Sequence, residues 1–125
     1  MPQTKVKHHT LCHFELPCHD PEKVSHFYQK LFGWEIKKMD IGGMAYWFIK
    51  TTPEEEAVTG GLMKTEKSLD PVVNYILVDS VDAFLKKAMD LGAKLLTPKT
   101  LVPGMGHFAV FSDLEGNSMG LWETL

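Results

Sequence analysis

Hydrophobic and polar residues alternate through the middle of residues 11–18. Successive side chains of a β-strand point to opposite faces, so the alternation predicts a strand with one buried face and one face that carries polar groups. The buried face holds Cys12, Phe14, Leu16 and Cys18, and the opposite face holds Leu11, His13, Glu15 and Pro17.

A helix is predicted directly after this strand. Asp20 is a favourable N-cap, Pro21 suits the first helical turn and Gly33 is a natural C-terminal stop. Between these ends, apolar residues recur at intervals of three and four, as on the buried face of a helix: Val24, Phe27, Tyr28 and Leu31.

Three more strands are predicted in the first half of the chain, at about 34–39, 44–50 and 58–64. Gly42-Gly43 is interpreted as the turn that joins the first two of them. Gly60-Gly61 is interpreted as a turn or strand-edge feature.

The second half repeats this order. A strand is predicted at 72–78, a helix between Ser80 and Gly92, and strands at about 93–97, 107–112 and 118–123. The two helix-ending glycines, Gly33 and Gly92, lie 59 residues apart. This period predicts a single domain, residues 1–125, built from two fused βαβββ modules at about 8–64 and 72–125, with a polar connector at 65–71.

Composition limits the partners. Hydrophobic residues make up 44% of the chain, charged residues 23%, and the net charge of -3 comes without a basic cluster, so nucleic acid is not an expected partner. No apolar run is long enough for a membrane span, and the N-terminus lacks a signal-peptide core. Cys12 and Cys18 would lie roughly 20 Å apart in one strand, too far for a disulfide. Reduced thiols favour a cytoplasmic protein.

Several segments together resemble the vicinal oxygen chelate superfamily, which includes glyoxalase I, extradiol dioxygenases and bleomycin-binding proteins. The first module is similar in His13-Phe-Glu-Leu-Pro-Cys-His-Asp20 and Leu31-Phe-Gly-Trp34, and the second in Val78-Asp-Ser-Val-Asp-Ala83. The turn Asp113-Leu-Glu-Gly-Asn117 before the last strand completes the similarity. The resemblance implies an α+β fold in which two modules curve an eight-stranded mixed sheet around a cup, with the helices outside. It also implies a homodimer.

The resemblance further implies where a metal would bind, and this chain departs from that pattern. His13 lies seven residues before Asp20, as the first ligand does in metal-dependent members. The second position is Val73 by the strand register or Val72 by the helix register, and the third, four residues after Gly116, is Gly120. A fourth ligand used by some members would fall in the segment Gly60 to Met63, which offers none. The expectation is that no metal cofactor binds, with a divalent ion on an atypical ligand set as the less favoured possibility.

Six residues are candidates for binding a small molecule in the cup: His13, Glu15, Trp47, Tyr75, His107 and Trp122. Glu15 is also a candidate general acid or base, provided that burial raises its pKa. The face of Trp47 and of His107 depends on a strand register that the sequence leaves open. Structural packing is the alternative role for each aromatic residue.

Residues 98–106 combine prolines, glycines and apolar side chains and are predicted to form an irregular loop. The loop is interpreted either as a lid that hinges at Gly104 and Gly106, or as a connector that covers a dimer interface. The leading functional hypothesis is a glyoxalase/bleomycin-resistance/dioxygenase-like protein that binds a small organic molecule without the metal. A metal-dependent lyase, isomerase or dioxygenase and a protein-interaction module are the alternatives.

Overall fold

Within residues 2–66 and 71–125, which the computed structural model describes, eight strands form one mixed sheet. The connector predicted at 65–71 lies mostly outside these residues. The first half consists of β1 (Leu11–Cys18), α1 (Pro21–Phe32), β2 (Glu35–Ile41), β3 (Met44–Lys50) and β4 (Thr59–Lys64). The second half consists of β5 (Val73–Leu77), α2 (Val81–Asp90), β6 (Lys94–Val102), β7 (Gly106–Ser112) and β8 (Ser118–Thr124).

The strand order β2-β3-β4-β1-β5-β8-β7-β6 places the two halves side by side. Strand β1 is parallel to β4, β5 is parallel to β8, and the halves join where β1 runs antiparallel to β5. In that central pair His13 lies opposite Tyr75, and Glu15 lies opposite Val73. The α+β class and the eight-stranded mixed sheet predicted from the sequence are thereby confirmed.

The helices begin where their N-caps predict. The Asp20 carboxylate accepts a hydrogen bond from the Lys23 backbone N–H at 3.1 Å, and the Ser80 hydroxyl accepts one from the Ala83 N–H at 3.1 Å. Gly33 ends α1 in the left-handed conformation with φ 71°, which glycine adopts without strain. Helix α1 contacts β2 and β4, whereas α2 contacts β6, β7 and β8, so each helix covers strands of its own half.

The apolar face under α1 includes Trp47, whose surface is only 6% exposed. Its indole N–H donates to the Glu22 carboxylate of α1 at 3.2 Å. The expectation that Trp47 lines the cup is therefore corrected: it packs on the helix side of β3, opposite its neighbour Tyr46.

The sheet curves until turns at its two ends approach each other. A β-carbon placed on Gly42, in the β2–β3 turn, would lie 3.8 Å from the ring of Pro103, in the β6–β7 turn. The prediction of an irregular loop at 98–106 is wrong. Strand β6 continues through Pro98 to Val102, and only residues 103–105 form the turn before β7. Pro98 is tolerated because β6 is an edge strand, where one side of the backbone has no partner to bond.

None of the helices in the described parts of the chain is long and apolar enough to cross a membrane.

Candidate functional site

The concave face of the sheet encloses a cavity of about 820 Å³. Most of the described residues that line it are apolar, and the polar side chains His13, Glu15, Tyr46 and Tyr75 converge on one part of its wall. A cavity of this size with few convergent polar groups is typical of a small-molecule site. This cavity is called the cup below, and the four polar side chains form its polar floor.

A chain of hydrogen bonds connects the polar floor. The Thr59 hydroxyl lies 2.7 Å from His13 Nδ1, and His13 Nε2 lies 2.8 Å from the Tyr46 hydroxyl. The Tyr46 hydroxyl donates to Glu15 Oε2 at 3.0 Å, and the Tyr75 hydroxyl also interacts with this carboxylate. The strand pairing explains this convergence, because β1 carries His13 and Glu15 between β4 on one side and β5 on the other.

The number of protons on each group determines which partner donates in each of these hydrogen bonds. Tyr46 has one hydroxyl proton and uses it towards Glu15, so His13 must donate to Tyr46 from Nε2. In the neutral ring Nδ1 is then an acceptor for the Thr59 hydroxyl, whose oxygen lies 2.7 Å from Nδ1 and 3.3 Å from the Cys12 carbonyl oxygen. The donors therefore point along the chain towards Glu15, which accepts.

Burial sets the protonation of these groups. Removal from water lowers the pKa of His13 from 6.5 to about 3, so the ring is neutral at physiological pH. Burial also raises the pKa of Glu15, although hydrogen bonds from Tyr46 and Tyr75 partly oppose this. Both phenols have raised pKa values, first because they are buried and then because the Glu15 carboxylate is close.

Tyrosine rings cover both glycines that stand where the family's carboxylate ligands are expected. A β-carbon on Gly120 would lie 2.3 Å from the Tyr75 ring, and one on Gly61 would lie 1.8 Å from the Tyr46 hydroxyl oxygen. The two glycines occupy related places, because Gly61 pairs with Glu15 in the first half and Gly120 pairs with Tyr75 in the second. The Tyr75 ring therefore takes the space that a side chain at position 120 would occupy.

These residues do not fit the family's metal. His13 is present, but Val73 lines the cup with an apolar side chain, and neither Gly61 nor Gly120 has a ligand to offer. Among the described residues, no group of three or more His, Cys, Asp or Glu side chains could hold an ion. Of the two registers considered for the second position, the structure supports Val73, because Val72 precedes β5 and is about half exposed.

Four of the six predicted binding residues line the cup: His13, Glu15, Tyr75 and Trp122. The other two do not, since Trp47 packs under α1 and His107 faces α2. His107 pairs with Glu123, whose carboxylate accepts the Val81 N–H at the start of α2 at 2.7 Å. That any of the four binds a ligand stays a prediction.

Tyr46 is the polar-floor residue that sequence reasoning missed. It begins a run of three aromatic residues, Tyr46 to Phe48, so alternation alone did not show which of them faces the cup. The glycine pair in β4 was a usable signal, because glycine within a strand often marks a close approach by another group. Gly60 and Gly61 lie inside β4, between β1 and β3, and not at a turn or sheet edge.

Tyr46→Phe removes the hydroxyl that joins His13 to Glu15 while keeping the ring over Gly61. We expect it to lower the free energy of unfolding by about 1–2 kcal/mol, because the buried Nε2 of His13 loses its acceptor and Glu15 loses one of its two tyrosine donors. Denaturant unfolding of the variant measures the loss. Tyr28→Phe, on the outer helix α1, is the matched control. An equal loss of stability in both variants would contradict a special role for the hydrogen bonds that connect His13, Tyr46 and Glu15.

The sheet order and the cup define a class of proteins in which two βαβββ halves surround one cavity. The family described as Bleomycin resistance protein-like N-terminal matches residues 10–47. Two CFP32 proteins, from Mycobacterium bovis and Mycobacterium tuberculosis, are 27% identical over 113 residues, and their glyoxylase designation is itself inferred. The match covers 87% of this chain but 43% of theirs, so the chain spans less than half the length of these curated relatives.

Solved structures share the fold at low sequence identity. Streptomyces coelicolor methylmalonyl-CoA epimerase in complex with 2-nitronate-propionyl-CoA is 16% identical, with a TM-score of 0.70 over 94% of this chain and 99% of that one. A hypothetical protein from Bacillus halodurans is 14% identical, with a TM-score of 0.72 over 93% and 94% of the two chains. The partial family match, the CFP32 relatives and the shared fold all indicate a similarity to the vicinal oxygen chelate superfamily of glyoxalase-like and bleomycin-resistance-like proteins.

Proposed function

We propose that the cup binds a small organic molecule directly on its polar floor, without the family's divalent metal. The observation that carries the proposal is the replacement of both carboxylate positions by glycines that tyrosine rings cover. The floor then presents hydrogen-bonding groups instead of metal ligands, and the apolar wall of the cup supplies the contact area that small-molecule sites use.

Ligand-detected NMR with a panel of neutral and charged fragments tests this proposal on protein treated with EDTA. Met44 lines the cup and is 64% exposed, so Met44→Trp can fill the cup without disturbing the core. Met89 lies on α2, outside the cup, and Met89→Trp is the matched control. We expect hits with affinities better than about 1 mM that Met44→Trp abolishes and Met89→Trp keeps. Binding that requires added metal, or no hit at all, would contradict the proposal.

Acid–base catalysis by Glu15 is a second candidate, favoured by its raised pKa and its position in the cup wall. The epimerase neighbours are named for a reaction that removes and returns a proton, although CoA esters also carry anionic phosphates. The described lining of the cup includes no Lys or Arg to meet them, which favours a different substrate. Solvent deuterium appearing in a bound ligand, and lost in Glu15→Gln, is the expected sign of catalysis. Exchange that continues in Glu15→Gln would exclude it.

A homodimer is the proposed assembly. The prediction that Phe27 and Leu31 lie on the buried face of α1 is wrong, because both side chains are more than half exposed, as is Phe32. This exposed apolar surface favours contact with a second copy. Sedimentation equilibrium should give twice the chain mass of 14.1 kDa, falling to the monomer in Phe27→Asp/Leu31→Asp. Leu114→Asp, at an exposed turn, is the control. A wild-type monomer would contradict the proposal. A cytoplasmic location stays a prediction that rests on the two free, buried thiols.

A protein-interaction module would use an exposed apolar surface in place of an open cavity. Leu101 is about half exposed, but it lines the cup, as Met105 does, and this favours the small-molecule proposal.

A further inference from the structure

Glu15 is the one acidic residue among the described residues that line the cup, and none of those residues is Lys or Arg. The groups that face it from the neighbouring strands are neutral: His13 on β1, Tyr46 on β3, and Tyr75 with Val73 on β5. The tyrosines give hydrogen bonds to the carboxylate but bring no positive charge. The cup thus holds a half-buried carboxylate, and the described lining offers no positive charge to balance it.

A positive charge placed beside the Glu15 carboxylate would stabilise it. A carboxylate removed from water without a counter-ion is costly, and it gains either by taking up a proton or by pairing with a cation. A ligand ammonium group supplies both the charge and N–H donors for the oxygen atoms of Glu15.

The wall around Glu15 favours the same ligand chemistry. Tyr75 and Phe108 meet edge to face, with ring centroids 6.3 Å apart, and both line the cup together with Trp122. Aromatic faces attract organic cations, most strongly where water is excluded. The rest of the wall is apolar and fits a hydrocarbon body attached to the charged group.

We propose that the cup selects a small organic cation, an ammonium group on an apolar or aromatic body, whose charge pairs with Glu15. This inference rests on the proposed small-molecule function and names its ligand class. A consequence concerns pH. A proton and the ligand compete for the same carboxylate, so affinity should fall as the pH is lowered through the raised pKa of Glu15.

Three ligands of nearly equal shape test the proposal by calorimetry: 1-naphthylmethylamine, 1-naphthalenemethanol and 1-naphthoate, which are cationic, neutral and anionic. We expect the amine to bind at least about tenfold more tightly than the alcohol, and the carboxylate most weakly. Glu15→Gln keeps the shape of the side chain and should remove the preference for the amine while retaining the alcohol. Glu115→Gln, at the exposed turn before β8, is the control for general attraction to the acidic protein.

The outcomes separate this inference from the proposed function. If the alcohol or the carboxylate binds as tightly as the amine, or if Glu15→Gln keeps the preference, the inference is overturned and binding in the cup stands. If Glu115→Gln removes the preference as fully as Glu15→Gln does, the attraction is non-specific and the inference is again overturned. If none of the three ligands binds to wild-type protein, the inference is overturned, whereas the proposed function is decided by the fragment panel.

Discussion

Acidification from pH 6.5 towards 3 is expected to destabilise the fold through His13. The folded state lowers the pKa of this buried ring to about 3, whereas the unfolded chain returns it towards 6.5. A group with a depressed pKa contributes stability above the unfolded value and loses it as the pH falls towards the folded value. The expected loss is on the order of 4 kcal/mol across this window.

Glu15 acts in the opposite direction. Its raised pKa means that the folded state holds a proton more tightly than the unfolded chain, so its contribution is present below pH 4.5 and declines as the pH rises through the folded value. The contribution of His13 must therefore be isolated. His13→Gln keeps an N–H donor for Tyr46 but cannot titrate. Denaturant unfolding at a series of pH values should show a flatter acid limb for His13→Gln than for wild type. Parallel curves would contradict the neutral, buried histidine.

Gly120→Ala should be severely destabilising for a substitution that adds one methyl group. Its β-carbon would lie 2.3 Å from the ring of Tyr75, and that ring is held between β1 and β8 with only 7% of its surface exposed. Overpacking of this kind costs about 3 kcal/mol where the neighbour cannot yield.

The same change in a Tyr75→Ala background is the control, because the clashing ring is then absent. We expect Gly120→Ala to cost little there, so that the two substitutions are strongly non-additive in a double-mutant cycle. An equal cost in both backgrounds would show that Tyr75 does not fill the position of the lost carboxylate.

The sequence was sufficient for β1 and its functional face. Alternation along β1 placed His13 and Glu15 on the face opposite Cys12 and Phe14, and the resemblance implied a cup for that face to line. The resemblance to the vicinal oxygen chelate superfamily led to Val73 and Gly120 as positions that lack a metal ligand. The face of β1 that carries His13 and Glu15 could be predicted because strand alternation is a local property of the chain.

Other features depend on contacts that the sequence does not encode locally. In β3, Tyr46, Trp47 and Phe48 are all aromatic, so hydrophobicity did not distinguish the cup face from the helix face. His107 was uncertain for a related reason, since its polar partner Glu123 belongs to another strand. Gly120 was recognised as a lost ligand, but the ring that fills its place comes from β5 and was visible only in three dimensions.

Elemental analysis of untagged protein tests the central claim most directly. The protein is loaded in turn with Zn, Ni, Mn and Fe(II), desalted and analysed beside a His13→Ala variant. We expect no retained metal, because Val73, Gly61 and Gly120 have no side chain that can coordinate an ion. About one ion per chain in the wild type, lost in His13→Ala, would contradict it.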